Sequence, residues 1–333
     1  MNNDNKIILS IIIVNYNTKE LTKNCVNSII DNTSLPYEII IIDNHSHEKG
    51  IGTLSQKGKN IRVVHSEKNL GFGKANNVGM QMAKGKYFLL LNSDTIILDK
   101  ALDKCLHFFE QLHDKEIGVL GCKLLNLDHS FQNSFWTTDN KSNLLDVWIK
   151  GLKKSFLINK ISNLFTSSHH DHNHAINTPC MINGLYGAFI LLKKEVFLET
   201  GGFDTDFFMY CEETEWFRNR IEGKFKTFYY PEAEVIHIGG GSSSITKGVS
   251  WSMMQHTLSY FLYWYKLSKI KFWLFTVSSF IGNLMNLPIL IFSKYHYRNE
   301  FRIHLKLFST ILFDIPKYSN KFNSRKEPLK INI

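Results

Sequence analysis

Apolar runs that end on a polar or acidic residue dominate the first 122 residues. Four of them have the length and composition of buried strands: residues 7–14, 38–43, 61–65 and 86–91. Apolar side chains also recur at helical spacing between and after them, for example over about 99–113. Strands that alternate with helices at these lengths build βαβ units. The pattern therefore predicts an α/β fold, with a Rossmann-like, mostly parallel sheet flanked by helices.

Two of these strands end on an acid. The run Y-F-L-L-L-N-S-D ends at Asp94, and the second predicted strand ends at Asp43. Ligands of open α/β sheets bind in the crevice at the carboxyl ends of the strands. We therefore expect both carboxylates to lie in a site and not in the core. Two acids at such an edge indicate a ligand rich in hydrogen-bond donors, or a cation carried with a phosphate.

Residues 123–178 have a different character, because they are polar and poorly periodic. We interpret them as an inserted, mobile segment. Clustered histidines occur near its end: His169, His170, His172 and His174. Such a cluster can bind a metal, but in a loop of Ser, Asn and Asp we favour solvated side chains. Regular structure is expected again at 180–193, 225–230 and 233–238, with a helix that starts near Glu212.

The region after residue 250 reads as helical. Residues 272–292 carry no charge and, as a helix about 31 Å long, would just span a bilayer. Polar residues recur within this run at helical spacing: Thr276, Ser279, Asn283 and Asn286. A basic stripe then lies beside an apolar one: Lys294, Arg298, Arg302 and Lys306 next to Phe301, Leu305, Phe308 and Leu312. This favours helices lying on an anionic membrane surface, with a helical cap on the catalytic domain and a true span as alternatives.

Composition and charge place limits on this picture. The 333 residues contain 39 Lys and Arg against 30 Asp and Glu, and part of the resulting charge of +9 lies after residue 316. Five cysteines without a C-x-x-C pair indicate free thiols in a reducing cytosol. We see no secretion signal before the first strand. The expected parts are a catalytic domain over 1–245, a membrane-associating helical region over 246–316 and a basic tail over 317–333.

The ends of the first two strands carry candidate chemistry. The first strand leads into N-Y-N-T, where a dinucleotide site would need glycines, so Asn15, Tyr16 and Asn17 exclude that class of site. The second strand leads into I-D-N-H-S. Asp43 in this motif can accept a hydrogen bond from the imide N–H of uracil or thymine. Capping of the next helix is the alternative role for Asp43.

A glycine-rich segment, N-L-G-F-G-K-A-N-N-V-G at 69–79, precedes the strand that ends at Asp94. Gly71 and Gly73 would permit close approach of the backbone to a ligand, and Lys74 would reach a phosphate. Asp94 is a hard oxygen donor of the kind that Mg²⁺ or Mn²⁺ uses together with phosphate oxygens. The segment therefore points to a metal–nucleotide site.

A further motif is G-G-F-D-T-D-F-F-M-Y-C-E-E-T-E-W at 201–216, followed by V-I-H. Together with V-N-Y-N, I-D-N-x-S, the glycine-rich segment and L-N-S-D, it resembles family 2 glycosyltransferases, most of all their bacterial rhamnosyltransferase-like branch. The resemblance covers roughly residues 8 to 245. It implies a GT-A fold, a nucleotide-diphosphate sugar donor, a divalent metal, and inversion at the anomeric carbon.

The resemblance also implies roles for individual residues. Asp43 matches the nucleobase-binding Asp of the family, and Asp94 matches the metal-binding last residue of its D-x-D motif, with Asn92 at the first position. His237 resembles a histidine that completes the metal or diphosphate contacts, although an ordinary strand histidine is the alternative. The remaining predicted contacts to the nucleotide sugar are Asn15, Asn17, Gly71, Gly73, Lys74, Asn76, Asn92 and Ser93. Asp204 and Trp216 are predicted contacts to the sugar or the acceptor, with a place in the core as the alternative for Trp216.

The chain departs from the family pattern at the catalytic acid, where Glu212-Glu213 replaces the usual Glu-Asp pair. We assign Glu213 as the general base by its position, and Glu212 as a residue that holds the loop or an acceptor hydroxyl. Neighbours on a helix point about 100° apart, so both are not expected to reach the acceptor. Complementing the dipole of a helix N-terminus is the alternative role for both acids.

The expected function is thus transfer of a sugar, with dTDP-rhamnose as the first candidate donor and UDP-hexoses as the second. The acceptor would be a glycan or a polyprenyl-diphosphate-linked sugar in bacterial surface polysaccharide synthesis. We expect the protein to be cytoplasmic and peripheral on the inner face of the membrane, with no nucleic-acid partner. A sugar nucleotidyltransferase is one alternative, although N-Y-N-T lacks its glycine-rich turn with Arg and Lys. The other is a non-enzymatic, membrane-associated sugar-binding protein.

Overall fold

The structure is a computed structural model of the chain. It describes residues 7–58, 60–137, 143–155, 158–159, 176–239, 251–287, 295–319, 321–325 and 327–331, with only the backbone described for 295–301. The predicted histidine cluster at 169–174 lies outside the described residues.

Strands and helices alternate through the first part of the chain. The strands are β1 Leu9–Asn15, β2 Tyr37–Asp43, β3 Ile61–His65, β4 Tyr87–Asn92, β5 Thr95–Ile97, β6 Ile117–Leu125, β7 Phe131–Gln132, β8 Phe135–Trp136, β9 Cys180–Ile182, β10 Gly184–Leu185, β11 Phe189–Lys193 and β12 Lys226–His237. The helices are α1 Lys19–Asn32, α2 Phe72–Met82, α3 Ala101–Gln111, α4 Leu144–Leu152, α5 Lys194–Thr200, α6 Glu212–Trp216, α7 Trp251–Leu267, α8 Lys269–Leu284 and α9 Tyr295–Ser309.

The central sheet has the strand order β3-β2-β1-β4-β11-β6-β12-β5. Strands β3, β2, β1 and β4 are mutually parallel, as is the pair of β6 and β12, while β11 runs antiparallel to β4 and β6. The predicted α/β class and mostly parallel sheet are confirmed. The two strands predicted at 225–230 and 233–238 are one strand, β12, whose register shifts between Tyr230 and Glu234.

Alternate residues of the parallel strands pack on opposite faces of the sheet, as the period of a strand requires. In β1, Ile11 and Ile13 join the cluster that contains Val26 of α1. Ile12 belongs instead to the cluster that contains Met80 of α2.

Because both faces are covered, the middle residues of β1, β2 and β4 are apolar. Ser10 and Glu38, near the amino ends of β1 and β2, are buried and hydrogen-bonded to each other. Asn15 and Asp43 lie at the carboxyl ends of the same two strands, where the candidate site lies.

The chain folds as two compact units. The sheet belongs to the unit formed by residues 1–138, 172–203 and 212–244, and the other unit consists of 139–171, 204–211 and 245–333. The segment predicted as an irregular insertion, 123–178, contains regular structure. It includes the end of β6, the short strands β7 and β8, and α4.

The second unit has its own core of aromatic and aliphatic side chains from α7, α8, α9 and the chain end, including Phe261, Phe272, Ile311 and Leu329. Within the run predicted at 272–292, α8 ends at Leu284, and residues 288–292 lie outside the described part of the chain. None of the helices among the described residues combines the length and apolar character needed to cross a membrane.

The described residues of the predicted basic tail pack into this unit. Asp206 is fully buried and accepts hydrogen bonds from Lys266, from the backbone and hydroxyl groups of Ser324, and from the backbone N–H of Arg325. Lys266 is also buried and lies 3.0 Å from Asp204. A network of buried charges therefore joins residues 204–206 to the chain end.

Lys266→Met is expected to lower the free energy of unfolding by about 3–5 kcal/mol, because it leaves two buried carboxylates without their cation. Urea denaturation followed by fluorescence measures this change. The control is Lys317→Met, which breaks an ion pair with Asp314 whose side chains are 58% and 47% exposed. Such exposed pairs contribute about 1 kcal/mol or less. Equal effects of the two substitutions would contradict the assigned role of the buried network.

Candidate active site

The carboxyl ends of the first three strands are in register, so that Asn15, Asp43 and His65 are neighbours. Asn15 Nδ2 donates a hydrogen bond to Asp43 Oδ1 at 3.0 Å, and His65 Nδ1 lies 2.9 Å from Asp43 Oδ2. Burial alone would raise the pKa of Asp43, but hydrogen bonds from Ser46, Asn15 and His65 together hold it below its usual value. Asp43 is therefore an ionised acceptor. The next helical stretch begins only at Ile51, so Asp43 does not cap a helix.

Asn15 and Asn17 use their side chains to hold this edge. Asn15 Oδ1 accepts hydrogen bonds from the hydroxyl groups of Thr18 and Thr22, while its Nδ2 also donates to Ser46. Asn17 has a left-handed backbone, with φ of 53°, and its Oδ1 accepts from the backbone N–H of His47 at 2.8 Å. The side chains of both residues hydrogen-bond to other groups of the protein and so hold Asp43 and its loop in place.

Asn44, which is not among the predicted site residues, holds the glycine-rich segment in place. Asn44 Oδ1 accepts from the backbone N–H of Leu70 at 2.7 Å, and its Nδ2 donates to Asn69 Oδ1 at 2.9 Å. Gly71 caps α2 with φ of 80°, a conformation that favours glycine. In the sequence, the position of Asn44 directly after Asp43 in the I-D-N-H-S motif could have indicated its role.

The first turn of α2 packs against the segment that leads to Glu212. A Cβ atom on Gly73 would lie 2.8 Å from Phe203 Cβ and 3.5 Å from Glu212 Cγ, so Gly73 is required for this packing. Asn77, another residue missed from the sequence, hydrogen-bonds both the carbonyl and the N–H of Phe203, at 2.8 and 2.9 Å. Asn76 donates to the Phe72 carbonyl within its own helix, and Lys74 is half-buried.

The three acids of α6 lie in different environments. Glu212 is 2% exposed, and its Oε2 has no hydrogen-bond partner among the described residues. Burial, together with the charge of Glu213, raises the pKa of Glu212 well above its usual value. Burial raises the pKa of Glu213 to about 7. Glu215 is instead paired with Arg220 at 2.6 Å, so its role is structural.

An aromatic pair lies near Glu213. Burial and the charge of Glu213 both raise the pKa of Tyr186, whose ring is 42% exposed. The Tyr186 ring centroid lies 5.3 Å from that of Trp136. Both residues come from the segments around β8 and β10, where no sequence motif marked them.

Asp94 and His237 are brought together at the ends of β4 and β12. Asp94 Oδ1 lies 3.4 Å from His237 Nε2, and Asn92 Nδ2 lies 3.2 Å from the same nitrogen. Ser93 Oγ is 3.0 Å from Thr18 Oγ1. One carboxylate and one imidazole facing each other fit a divalent cation that takes its other ligands from phosphate and water. Across the described ranges no group of three or more His, Cys, Asp or Glu forms a fuller set of ligands.

Two predicted contacts to the sugar or acceptor occupy other places. Trp216 is fully buried, donates a hydrogen bond to Thr200 Oγ1 at 2.8 Å and packs on Phe203. Asp204 is fully buried in the second unit beside Lys266. Burial therefore gives both residues structural roles in place of the predicted surface contacts.

The fold and the matches to known proteins agree. Solved structures with similar folds include GalNAc-T7 with UDP, GalNAc and Mn²⁺ (TM-score 0.56, 16% identity, 98% of this chain and 60% of that chain). Another is the mannosyltransferase PcManGT from Pyrobaculum calidifontis with GDP-Man and Mn²⁺ (TM-score 0.52, 11% identity, 92% of this chain and 87% of that chain). At these identities the likeness concerns the fold, and the fold is that of GT-A glycosyltransferases.

Residues 10–170 match the model of the family described as glycosyl transferase family 2. The matching family is the one that the motifs predicted. Similar curated proteins include the glycosyltransferase GlyG of Streptococcus pneumoniae, 26% identical over 132 residues, which cover 39% of this chain and 43% of GlyG. The poly(ribitol-phosphate) beta-glucosyltransferase of Bacillus spizizenii is 33% identical over 120 residues, covering 34% of this chain and 19% of that protein. The chain thus spans less than half the length of these relatives, and the rhamnosyltransferase-like branch stays a prediction.

Proposed function

We propose that the chain is an inverting, divalent-metal-dependent glycosyltransferase. It would move a sugar from a nucleotide-diphosphate donor to a glycan or lipid-linked acceptor in bacterial surface polysaccharide synthesis. The observation that carries this proposal is the Asp94–His237 pair at the carboxyl edge of the sheet. The same compact unit contains the ionised Asp43 and the acid pair of α6.

The donor would bind along this edge. An ionised Asp43 accepts the imide N–H that uracil and thymine share, which favours UDP- or dTDP-sugars. Among these, dTDP-rhamnose stays the first candidate, with UDP-hexoses second. The name of GalNAc-T7 bound to UDP, and those of glucosyl- and N-acetylglucosaminyltransferases among the relatives, support the UDP-hexose class.

In the transfer step the acceptor oxygen forms a bond to the anomeric carbon while the bond from that carbon to the diphosphate oxygen breaks. Glu213 takes the proton of the acceptor hydroxyl, and a pKa of about 7 leaves a large fraction of it unprotonated at neutral pH. Burial raises the pKa of Glu212 well above its usual value, which favours the protonated form that can donate a hydrogen bond. Asp94 and His237 would hold the Mg²⁺ or Mn²⁺ that stabilises the charge of the departing diphosphate when bound. Direct displacement inverts the anomeric centre.

Calorimetric titration with a panel of nucleotide sugars, with and without Mn²⁺, tests this proposal. We expect binding of one UDP- or dTDP-sugar that requires the cation, followed by slow hydrolysis of that donor. Failure to bind or hydrolyse any sugar nucleotide would favour a non-enzymatic sugar-binding protein. Release of pyrophosphate from a nucleoside triphosphate and a sugar phosphate would establish a nucleotidyltransferase instead.

We also propose that the second unit binds an anionic membrane surface, where a polyprenyl-diphosphate-linked acceptor would lie. The observation is that α8 exposes a row of apolar side chains while it buries polar ones together with Phe272 and Phe275. Apolar side chains on it are exposed: Ile270 69%, Trp273 43%, Val277 49%, Ile281 38% and Leu284 55%. Its polar side chains, predicted as a stripe, are buried: Thr276, Ser279 and Asn283.

A helix on the surface of a water-soluble protein normally has the opposite arrangement. Each exposed aliphatic side chain forgoes about 1.5–3 kcal/mol that burial would provide. A lipid surface would cover this row, and exposed Trp side chains favour the membrane interface. On α9 the exposed bases Arg302 and Lys306 lie beside the exposed Leu305 and Phe308, which suits anionic headgroups. Lys294 and the side chains of Arg298 and Phe301 lie outside the described residues.

The double variant Ile270→Glu/Val277→Glu is expected to weaken partitioning onto phosphatidylcholine–phosphatidylserine vesicles by about a hundredfold or more, because it removes two apolar contacts. Co-sedimentation measures the bound fraction. The control is Leu198→Glu in the sheet-containing unit, where Leu198 is 66% exposed. Unchanged partitioning of the double variant, or an equal loss in the control, would refute the membrane proposal. A self-association that the same double substitution abolishes would make a second copy the partner.

A further inference from the structure

Gln132 holds both the side chain and the backbone of His237. Its Oε1 lies 2.7 Å from His237 Nδ1, and its Nε2 donates to the His237 carbonyl oxygen at 3.2 Å. The two residues are separated by 105 positions in the chain. They meet because β7 pairs with the end of β6, which in turn lies beside β12.

The carbonyl oxygen determines which way the amide of Gln132 is turned. A backbone carbonyl only accepts hydrogen bonds, so the Gln132 atom that faces it is the amide nitrogen. A second acceptor, Asn126 Oδ1, lies 2.9 Å from the same nitrogen. Gln132 Oε1 must then face the imidazole, and an oxygen acceptor requires a proton on His237 Nδ1.

The proton on Nδ1 leaves a lone pair on Nε2 in the neutral ring. Asn92 Nδ2 donates toward that lone pair at 3.2 Å, which agrees with the same tautomer. His237 Nε2 and Asp94 Oδ1 are 3.4 Å apart. A cation that both atoms bind would stabilise this close approach of a nitrogen lone pair and a carboxylate oxygen. A histidine ligand whose other nitrogen donates to a fixed acceptor is the usual arrangement in metal sites.

We propose that Gln132 is a positioning residue that fixes His237 as the Nδ1–H tautomer and so readies Nε2 as a cation ligand beside Asp94. This inference rests on the proposed function for the cation, but the tautomer can be tested without it. Gln132 itself is supported by a tight turn, in which Asn126 and Ser130 are hydrogen-bonded through backbone and side chains. Residues 126–132, which belong to the segment interpreted as a mobile insertion, would thus support the site.

The first readout is the tautomer of His237 in the metal-free, full-length protein at pH 8. Nitrogen-15 NMR of labelled histidine distinguishes Nδ1–H from Nε2–H, and loss of the signal in His237→Asn assigns it. We expect Nδ1–H in the natural protein and a mixture in Gln132→Leu. Gln132→Glu keeps an acceptor for that nitrogen but turns its second oxygen toward two other acceptors, the His237 carbonyl and Asn126 Oδ1, so we expect a population of Nδ1–H between those of the natural protein and Gln132→Leu. A structural role alone would not produce this partial recovery.

The second readout is the dissociation constant for Mn²⁺ in the presence of UDP, measured by electron paramagnetic resonance. Gln132→Leu is expected to weaken Mn²⁺ binding about 10–100-fold, the range found when the hydrogen-bond partner of a ligating residue is lost. Gln132→Glu should bind Mn²⁺ more tightly than Gln132→Leu, because it keeps an acceptor for His237 Nδ1. The matched control is Gln111→Leu, which removes a Gln–His hydrogen bond of 2.9 Å on the exposed face of α3.

The outcomes separate the two hypotheses. An Nε2–H or doubly protonated His237 in the natural protein overturns the inference, and so does a Gln132→Leu variant with unchanged tautomer and Mn²⁺ affinity. If the natural protein shows Nδ1–H but binds no Mn²⁺ with any nucleoside diphosphate, the proposed function fails while the tautomer assignment survives. A melting curve of Gln132→Leu that matches the natural protein excludes unfolding as the cause of any change.

Discussion

Glu213→Gln is expected to reduce sugar transfer about 10³-fold while leaving the affinity for donor and Mn²⁺ within about twofold, because general bases supply factors of about 10²–10⁴. The amide has nearly the shape of the carboxylate but cannot take a proton. Single-turnover transfer and calorimetric donor binding measure the two effects separately. Glu222→Gln, an exposed acid in the same unit, is the control and should keep full activity.

The pH dependence of the natural protein follows from the same group. Glu213 acts as a base only when it is unprotonated, so transfer should rise with pH and level off above about 7. The stability effect has the opposite direction. The folded state binds this proton more tightly than the unfolded chain, whose Glu pKa is about 4.3, so stability falls as pH rises from about 4.3 to about 7. Glu213→Gln should flatten this fall in urea titrations.

Full turnover by Glu213→Gln would show that the base is assigned wrongly. The companion variant Glu212→Gln separates the two acids. Because burial raises the pKa of Glu212 and so favours its protonated form, its replacement by a neutral amide should change transfer far less than replacement of Glu213. If Glu212→Gln loses activity and Glu213→Gln does not, the two roles are exchanged.

Asp94→Asn is expected to weaken Mn²⁺-dependent binding of the nucleoside diphosphate at least about 100-fold and to reduce transfer by a similar or larger factor. An amide oxygen is a neutral and weaker ligand for a hard cation than a carboxylate. The His237–Gln132 hydrogen bonds should persist, which makes the change specific to charge. Titration of UDP or dTDP with and without Mn²⁺ checks the result.

The matched control is Asp99→Asn, because Asp99 follows Asp94 closely in sequence but is an exposed residue paired with Lys104. It should leave Mn²⁺ binding unchanged. Retention of metal-dependent donor binding in Asp94→Asn would refute the cation site. A loss of donor binding that is equal with and without Mn²⁺ would instead indicate that Asp94 contacts the donor directly.

The parallel half of the sheet could be predicted because burial on both faces leaves a local signal. Strands β1, β2 and β4 contain the apolar runs 11–14, 39–42 and 87–91, and each strand ends on a polar residue at the edge of the sheet. Asp43 and Asp94 were therefore found without knowledge of any contact. His237 needed more, since it lies 145 positions from Asn92, and it was identified through the family resemblance.

The supporting residues could not be predicted in this way. Asn44 and Asn77 lie within motifs and Gln132 lies in none, but in each case the partners are determined by which segments the topology brings together. For the same reason the burial of Trp216 could not be predicted, since its position in an acidic aromatic motif indicated a sugar contact. The structure buries it against Phe203.

Helix α8 shows what the sequence determines and what the tertiary structure determines. Its sequence alone determined that polar and apolar residues alternate at helical spacing, as it determined the strands of the sheet and the acids at their ends. Only the tertiary structure decided that Ser279 and Asn283 face inward while Trp273 and Val277 face outward. Periodicity reports that a helix has two faces, but the face that is buried depends on the helices that pack against it.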